Sequence, residues 1–114
     1  MTQHDPIIRI QHMRDYAMEA IQMLGGTTRE ELNADRKLQL ALVQLIETVG
    51  EAASRVPDEV RRCHPTVPWQ LAADMRNRLI HGYDVINFAI VFDTVTLNLP
   101  DLVKKLEGIL PPPS

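Results

Sequence analysis

Six apolar residues, Leu38, Leu42, Leu45, Val49, Ala52 and Val56, recur at intervals of four, three, four, three and four. That pattern fits one face of a long helix and no strand, because a strand repeats every second residue. The stripe is narrow and nearly heptad-like, which suits a seam between packed helices. Gly50 stands within it, where it costs about 1 kcal/mol relative to alanine. A glycine there predicts close approach of another helix, from the same chain or from a second copy.

The rest of the chain has the same character. Asp5-Pro6 reads as an N-cap followed by a first-turn proline, and Ile10, Met13, Ala17, Ile21 and Leu24 form one apolar stripe after it. Gly25-Gly26 ends that helix. Thr28 to Glu31 is a capping box for a short helix, and Asp35 caps the long one. Pro57, Pro65 and Pro68 break up the middle: 57–67 reads as a short helical turn followed by a connecting loop, and Pro68 starts a helix through Trp69, Leu71, Ala72, Met75 and Leu79. Gly82 interrupts it, and Asp84 or Asn87 caps a last helix carrying Phe88, Phe92, Val95, Leu99, Leu102, Leu106 and Ile109. Pro100 must kink or split that helix. Residues 111–114 read as a stop and a frayed, disordered tail.

No stretch alternates with period two long enough for a strand. The expectation is all-α: an up-and-down bundle of four main helices plus one or two short ones, forming a single domain over 1–114. Aromatics make up only 4% of the chain, so aliphatic residues and methionines (Met13, Met18, Met23 and Met75) must fill the core. His4 and His12 read as surface residues.

Function classes narrow from here. The single cysteine, Cys63, excludes an internal disulfide, and with His64 it lacks the paired spacing of a zinc site. No metal and no cofactor is expected. No signal peptide or membrane-spanning run is evident, so a cytoplasmic protein with no membrane partner is expected. The net charge of −3 argues against a broad non-specific nucleic-acid surface. Yet Arg55, Arg61, Arg62, Arg76 and Arg78 leave the stretch from 55 to 81 at +2 and the remainder at −5. A local basic patch on an acidic protein suits a small phosphate-bearing target.

The chemically able residues concentrate in Asp74-Met-Arg-Asn-Arg-Leu-Ile-His-Gly-Tyr-Asp84. Arginine offers phosphate a planar cationic fork, and histidine moves protons near neutral pH. On an unbroken helix Arg76 and His81 would point about 140° apart. They converge only if the helix ends between them or if two chains each lend part of the site. Structural roles stay open: His81 at a helix terminus, Arg76 paired with Asp74 or Glu51, Tyr83 as a half-buried core aromatic. Glu47 and Glu51 share a helix face; Glu51 either pairs with Arg55 or orients Arg76.

Taken in order, Gly50-Glu51-Ala52-Ala53, His64-Pro65, Pro68-Trp69 and Met75 to Tyr83 resemble the HepT-like ribonuclease toxins of the HEPN-domain group. The resemblance runs from about Asp5 to Leu110 and is most specific over Arg76 to Tyr83 and at Pro68-Trp69. It implies a metal-independent endoribonuclease, the toxin of a toxin–antitoxin pair, working on RNA as a homodimer with both motifs facing one cleft. It also implies a minimal nucleotidyltransferase antitoxin that silences the toxin by transferring AMP onto Tyr83. In such a site His81 is the base or acid, Arg76 stabilises the phosphorane, and Asn77, Arg78 and Tyr83 position substrate, with Glu51 behind Arg76. The alternative is a non-catalytic dimeric adaptor that binds nucleotide or RNA through the same patch for a nucleotidyltransferase. A purely structural motif on a helical interaction protein is the third reading.

Overall fold

The fold is seen in a computed structural model that describes residues 5–81 and 85–111, with the backbone alone at 80, 81 and 85. The helices are α1 (Pro6–Leu24), α2 (Arg29–Asn33), α3 (Arg36–Ser54), α4 (Asp58–Cys63), α5 (Trp69–Leu79), α6 (Phe88–Asp93) and α7 (Leu99–Ile109). A π turn over Thr94–Asn98 joins α6 to α7, so α1, α3, α5 and α6–α7 are the four main helices and α2 and α4 the short ones. The protein is an all-α, HEPN-like bundle. It adds one feature that lack of alternation did not foretell: β1 (Ile80–His81) pairs antiparallel with β2 (Val85–Ile86), in the register Ile80↔Ile86 and His81↔Val85. Two residues are too few to leave a periodic trace in the sequence.

The helix starts follow their capping residues. The Asp5 carboxylate accepts from the Ile7 N–H at 2.9 Å, Asp35 from Leu38 at 3.0 Å and Asn87 from Ile90 at 3.2 Å. Both halves of the Thr28–Glu31 capping box are formed. Gly25 ends α1 at φ +52°, a left-handed conformation that suits glycine. Pro100 splits the last helix as expected. It has no N–H for the Thr96 carbonyl, and the backbone just before it widens so that the Leu99 N–H donates to Thr94 instead. The expected Asp84 cap, His4 and the tail at 112–114 lie outside the described residues.

Helix α3 is central, with α1 on one side and α5 on the other; α1 also packs on α7. Two neighbours explain why its buried face is wider than the heptad stripe: Ile46, Gly50 and Ala53 are buried beside Leu42, Leu45, Val49 and Ala52. One apolar cluster joins these to Ile10, Met13, Leu79, Val95, Leu99, Leu102 and Leu106. Each such aliphatic side chain contributes about 1.5–3 kcal/mol when fully buried. Met13 and Met75 belong to this core and Met18 is half-buried, but Met23, expected inside, is 41% exposed. It lies one position before the last buried residue of α1, off the stripe through Leu24.

Candidate active site

The site is organised by a close approach of two helices. A Cβ placed on Gly50 would lie 3.3 Å from the carbonyl oxygens of both Ala72 and Ala73, so α3 and α5 meet there nearly backbone to backbone. The glycine thus serves a contact within the chain. One turn further along α5 comes Arg76, which projects beside α3 where the helices leave space. A cavity of ≈ 180 Å³ there is lined by Gly50, Glu51, Ser54, Ala73, Arg76 and Asn77. A second, of ≈ 290 Å³, is lined by Gln44, Glu47, Thr48, Glu51 and Arg76. The two share Glu51 and Arg76 and form one groove along α3.

Arg76, Asn77 and Arg78 are all exposed at the C-terminal end of α5, and Arg76 makes no ion pair among the described residues. Neither partner considered from sequence holds it. Asp74 accepts from Gln70 Nε2 at 2.9 Å, and Glu51 Oε2 accepts from Arg55, 2.8 Å from its terminal nitrogen and 3.0 Å from Nε. The Glu51–Arg55 pair is exposed and worth about 0.3–0.5 kcal/mol. It leaves Glu51 in the groove beside Arg76 without binding it.

Helix α5 stops at Leu79, so the helix does end between Arg76 and His81, as convergence requires. The Leu79 carbonyl accepts from the Asn87 N–H at 2.8 Å, and His81 follows on β1. Tyr83 and its neighbours Gly82 and Asp84 lie outside the described residues, as does the side chain of His81.

The five-arginine patch is smaller than its sequence suggested. Arg61 turns inward to the C-terminus of α3, donating to the carbonyls of Val56 at 3.0 Å and Ala53 at 2.8 Å, and Arg55 is held by Glu51. Arg62, Arg76 and Arg78 are left as exposed cations. Cys63 is exposed, and no three His, Cys, Asp or Glu side chains among the described residues converge as a metal site requires.

Gln44 and Thr48 were not among the expected site residues, although their signal is present. With Glu47 and Glu51 they recur at three and four along α3, a polar stripe beside the apolar one. The His64-Pro65 and Pro68-Trp69 pairs also acquire a physical meaning: Trp69 is buried at the start of α5, and its indole N–H donates to the His64 carbonyl at 3.0 Å. That bond ties the loop to the helix that carries Arg76.

Comparison with known proteins supplies the family. The chain is 35% identical to the probable ribonuclease HepT of Thermococcus cleftensis over 86% of its length and 92% of that protein. It is 34% identical to a candidate RNase of Caldanaerobacter subterraneus subsp. tengcongensis, covering 89% of this chain and 90% of the relative. For a candidate RNase of Methanocaldococcus jannaschii the identity is 33%, over 89% and 80%. No solved structure matches significantly. The family model described as Ribonuclease HepT-like matches residues 13–109, nearly the whole bundle, and the chain belongs to that family.

Proposed function

We propose that the protein is a metal-independent endoribonuclease, the toxin of a toxin–antitoxin pair, with a composite site formed in a homodimer. The observation that carries the reading is the end of α5 at Leu79, which frees Arg76 and His81 from the 140° divergence of a continuous helix. The RNase names of the relatives and the exposed Arg76-Asn77-Arg78 run beside a polar groove support it.

In this reading the scissile phosphate sits at Arg76, whose fork stabilises charge developing on the phosphorane. His81 moves the proton, as base toward the 2′-hydroxyl or as acid toward the leaving 5′-oxygen, and two copies of His81 across a dimer divide the roles. Asn77 and Arg78 hold the flanking backbone. A minimal nucleotidyltransferase antitoxin silences the site by placing AMP on Tyr83, which sets a bulky anion beside Arg76.

The test is expression of the chain alone beside His81→Ala, with total RNA examined for fragments and the intact mass checked for AMP. Growth arrest and fragments from the parent only are expected. Tight RNA binding without turnover by unmodified parent would favour the adaptor reading.

A further inference from the structure

We infer that the α3 wall of the groove reads a base next to the scissile phosphate, and that Glu47 selects guanine there. This rests on the ribonuclease reading and adds a specificity-determining residue to it.

The groove is polarised along its length. Arg76 supplies a cation, while the wall opposite is built from Gln44, Glu47, Thr48 and Glu51. Most donors on that wall are already used. The Thr48 hydroxyl donates to the Gln44 carbonyl at 2.8 Å, and Gln44 Nε2 reaches back to Thr48 Oγ1 at 3.4 Å. The lining is therefore rich in acceptors with no hydrogen bond among the described residues: the Gln44 side-chain oxygen, the Glu47 carboxylate and the second oxygen of Glu51. Glu47 is half-buried and has no hydrogen bond or ion pair among the described residues.

Two carboxylates one helical turn apart repel a phosphate backbone, so the chain of an RNA cannot lie along this wall. A base edge that carries donors can. The cavity of ≈ 290 Å³ lies at or below the roughly 300–1,000 Å³ of pockets for drug-sized ligands, which leaves room for one splayed base. Among the four bases only guanine presents two adjacent donors, N1–H and the 2-amino group, to a single carboxylate. Uracil sets carbonyl oxygens on both sides of its one N–H and is repelled. Phosphate at Arg76 and guanine at Glu47 match the polarity of the groove with that of a nucleotide.

The experiment digests a random-sequence, single-stranded RNA pool with parent and Glu47→Gln and maps the cut sites by sequencing. The parent should enrich guanine at one fixed position beside the cut. Inosine there, which lacks the 2-amino group, should slow cleavage of a defined oligoribonucleotide about tenfold. In Glu47→Gln the guanine preference should collapse by a similar factor. Gln44→Ala is the second variant should the first fail to fold, and should weaken the same preference. Cleavage by the parent without guanine enrichment, or the same enrichment in the folded variants, overturns this inference and leaves the ribonuclease intact. An altered oligomeric state with unchanged base preference overturns it by placing Glu47 at a subunit contact. A parent that cuts no RNA removes both readings.

Discussion

Gly50 and Ala73 set the spacing of the candidate site: a Cβ on the first would stand 3.3 Å from the carbonyl oxygen of the second, and as close to that of Ala72. The obstacle is helix backbone, which cannot swing aside as a flexible side chain can. Gly50→Ala gains up to about 1 kcal/mol of helix propensity but must push α5 away, a strain of about 1–3 kcal/mol. We expect a net loss on the order of 1 kcal/mol and a Tm lower by several degrees, with a larger loss for Gly50→Val. Urea and thermal unfolding measure it. A rise in Tm for the alanine variant would show that α5 shifts without strain.

Arg61 and Arg76 are both arginines of the basic stretch, yet their substitutions should separate stability from activity. Arg61→Ala removes two hydrogen bonds and a cation from the C-terminus of α3. It should cost about 1–3 kcal/mol in unfolding free energy while leaving cleavage per folded molecule within about twofold. Arg76→Ala removes an exposed side chain and should change stability by less than about 0.5 kcal/mol. In the proposed mechanism it lowers kcat by about two orders of magnitude or more. Denaturation curves and single-turnover cleavage of both variants give the comparison.

These two arginines also mark what the sequence could disclose. Caps, helix stops and apolar stripes are local, so Asp5, Thr28, Asp35, Asn87 and the split at Pro100 were readable from neighbours in the chain. Arg61 was not, because the Ala53 carbonyl it reaches is eight positions away and becomes its partner only after the turn at Pro57. The width of the buried face of α3 depends on having helices on two sides, which no single helix records. Gly50 announced a close approach, but whether the approaching helix came from this chain or another was settled only by the fold. The run from Arg76 to His81 was legible as a candidate site. The backbone around it, a helix end followed by a two-residue pairing, left too short a trace.

Gln39 is a buried polar residue on α3, 6% exposed, and its amide donates to the carbonyls of Leu32 at 2.9 Å and Asn33 at 3.0 Å. Those carbonyls belong to the last turn of α2, where a helix leaves its final carbonyls short of partners; Leu32 also accepts from the Asp35 N–H at 3.1 Å, whereas among the described residues Asn33 has Gln39 alone. Gln39→Ala deprives them of both bonds and opens a gap against α2. We expect a loss of about 1–3 kcal/mol, with amide exchange in α2 accelerating more than in α3. Equal acceleration in both helices would mean that α2 gains nothing local from the contact.

Asn87 links a helix cap to the placement of the candidate catalytic segment. Its backbone N–H closes residues 80–86 onto the Leu79 carbonyl, and its side chain starts α6 by accepting from Ile90. Asn87→Ala keeps the first bond and loses the second, which costs about 1 kcal/mol. Because α6 begins directly after β2, a loosened first turn lets the strand that pairs with His81 drift. The expected result is a fall in kcat with KM little changed, since Arg76 and the groove on α3 are untouched. Asn87→Asp retains the accepting oxygen and should restore both stability and kcat. Recovery of stability alone would separate the cap from the chemistry, and an unchanged kcat in the alanine variant would show that the β1–β2 pairing holds the segment without help from α6.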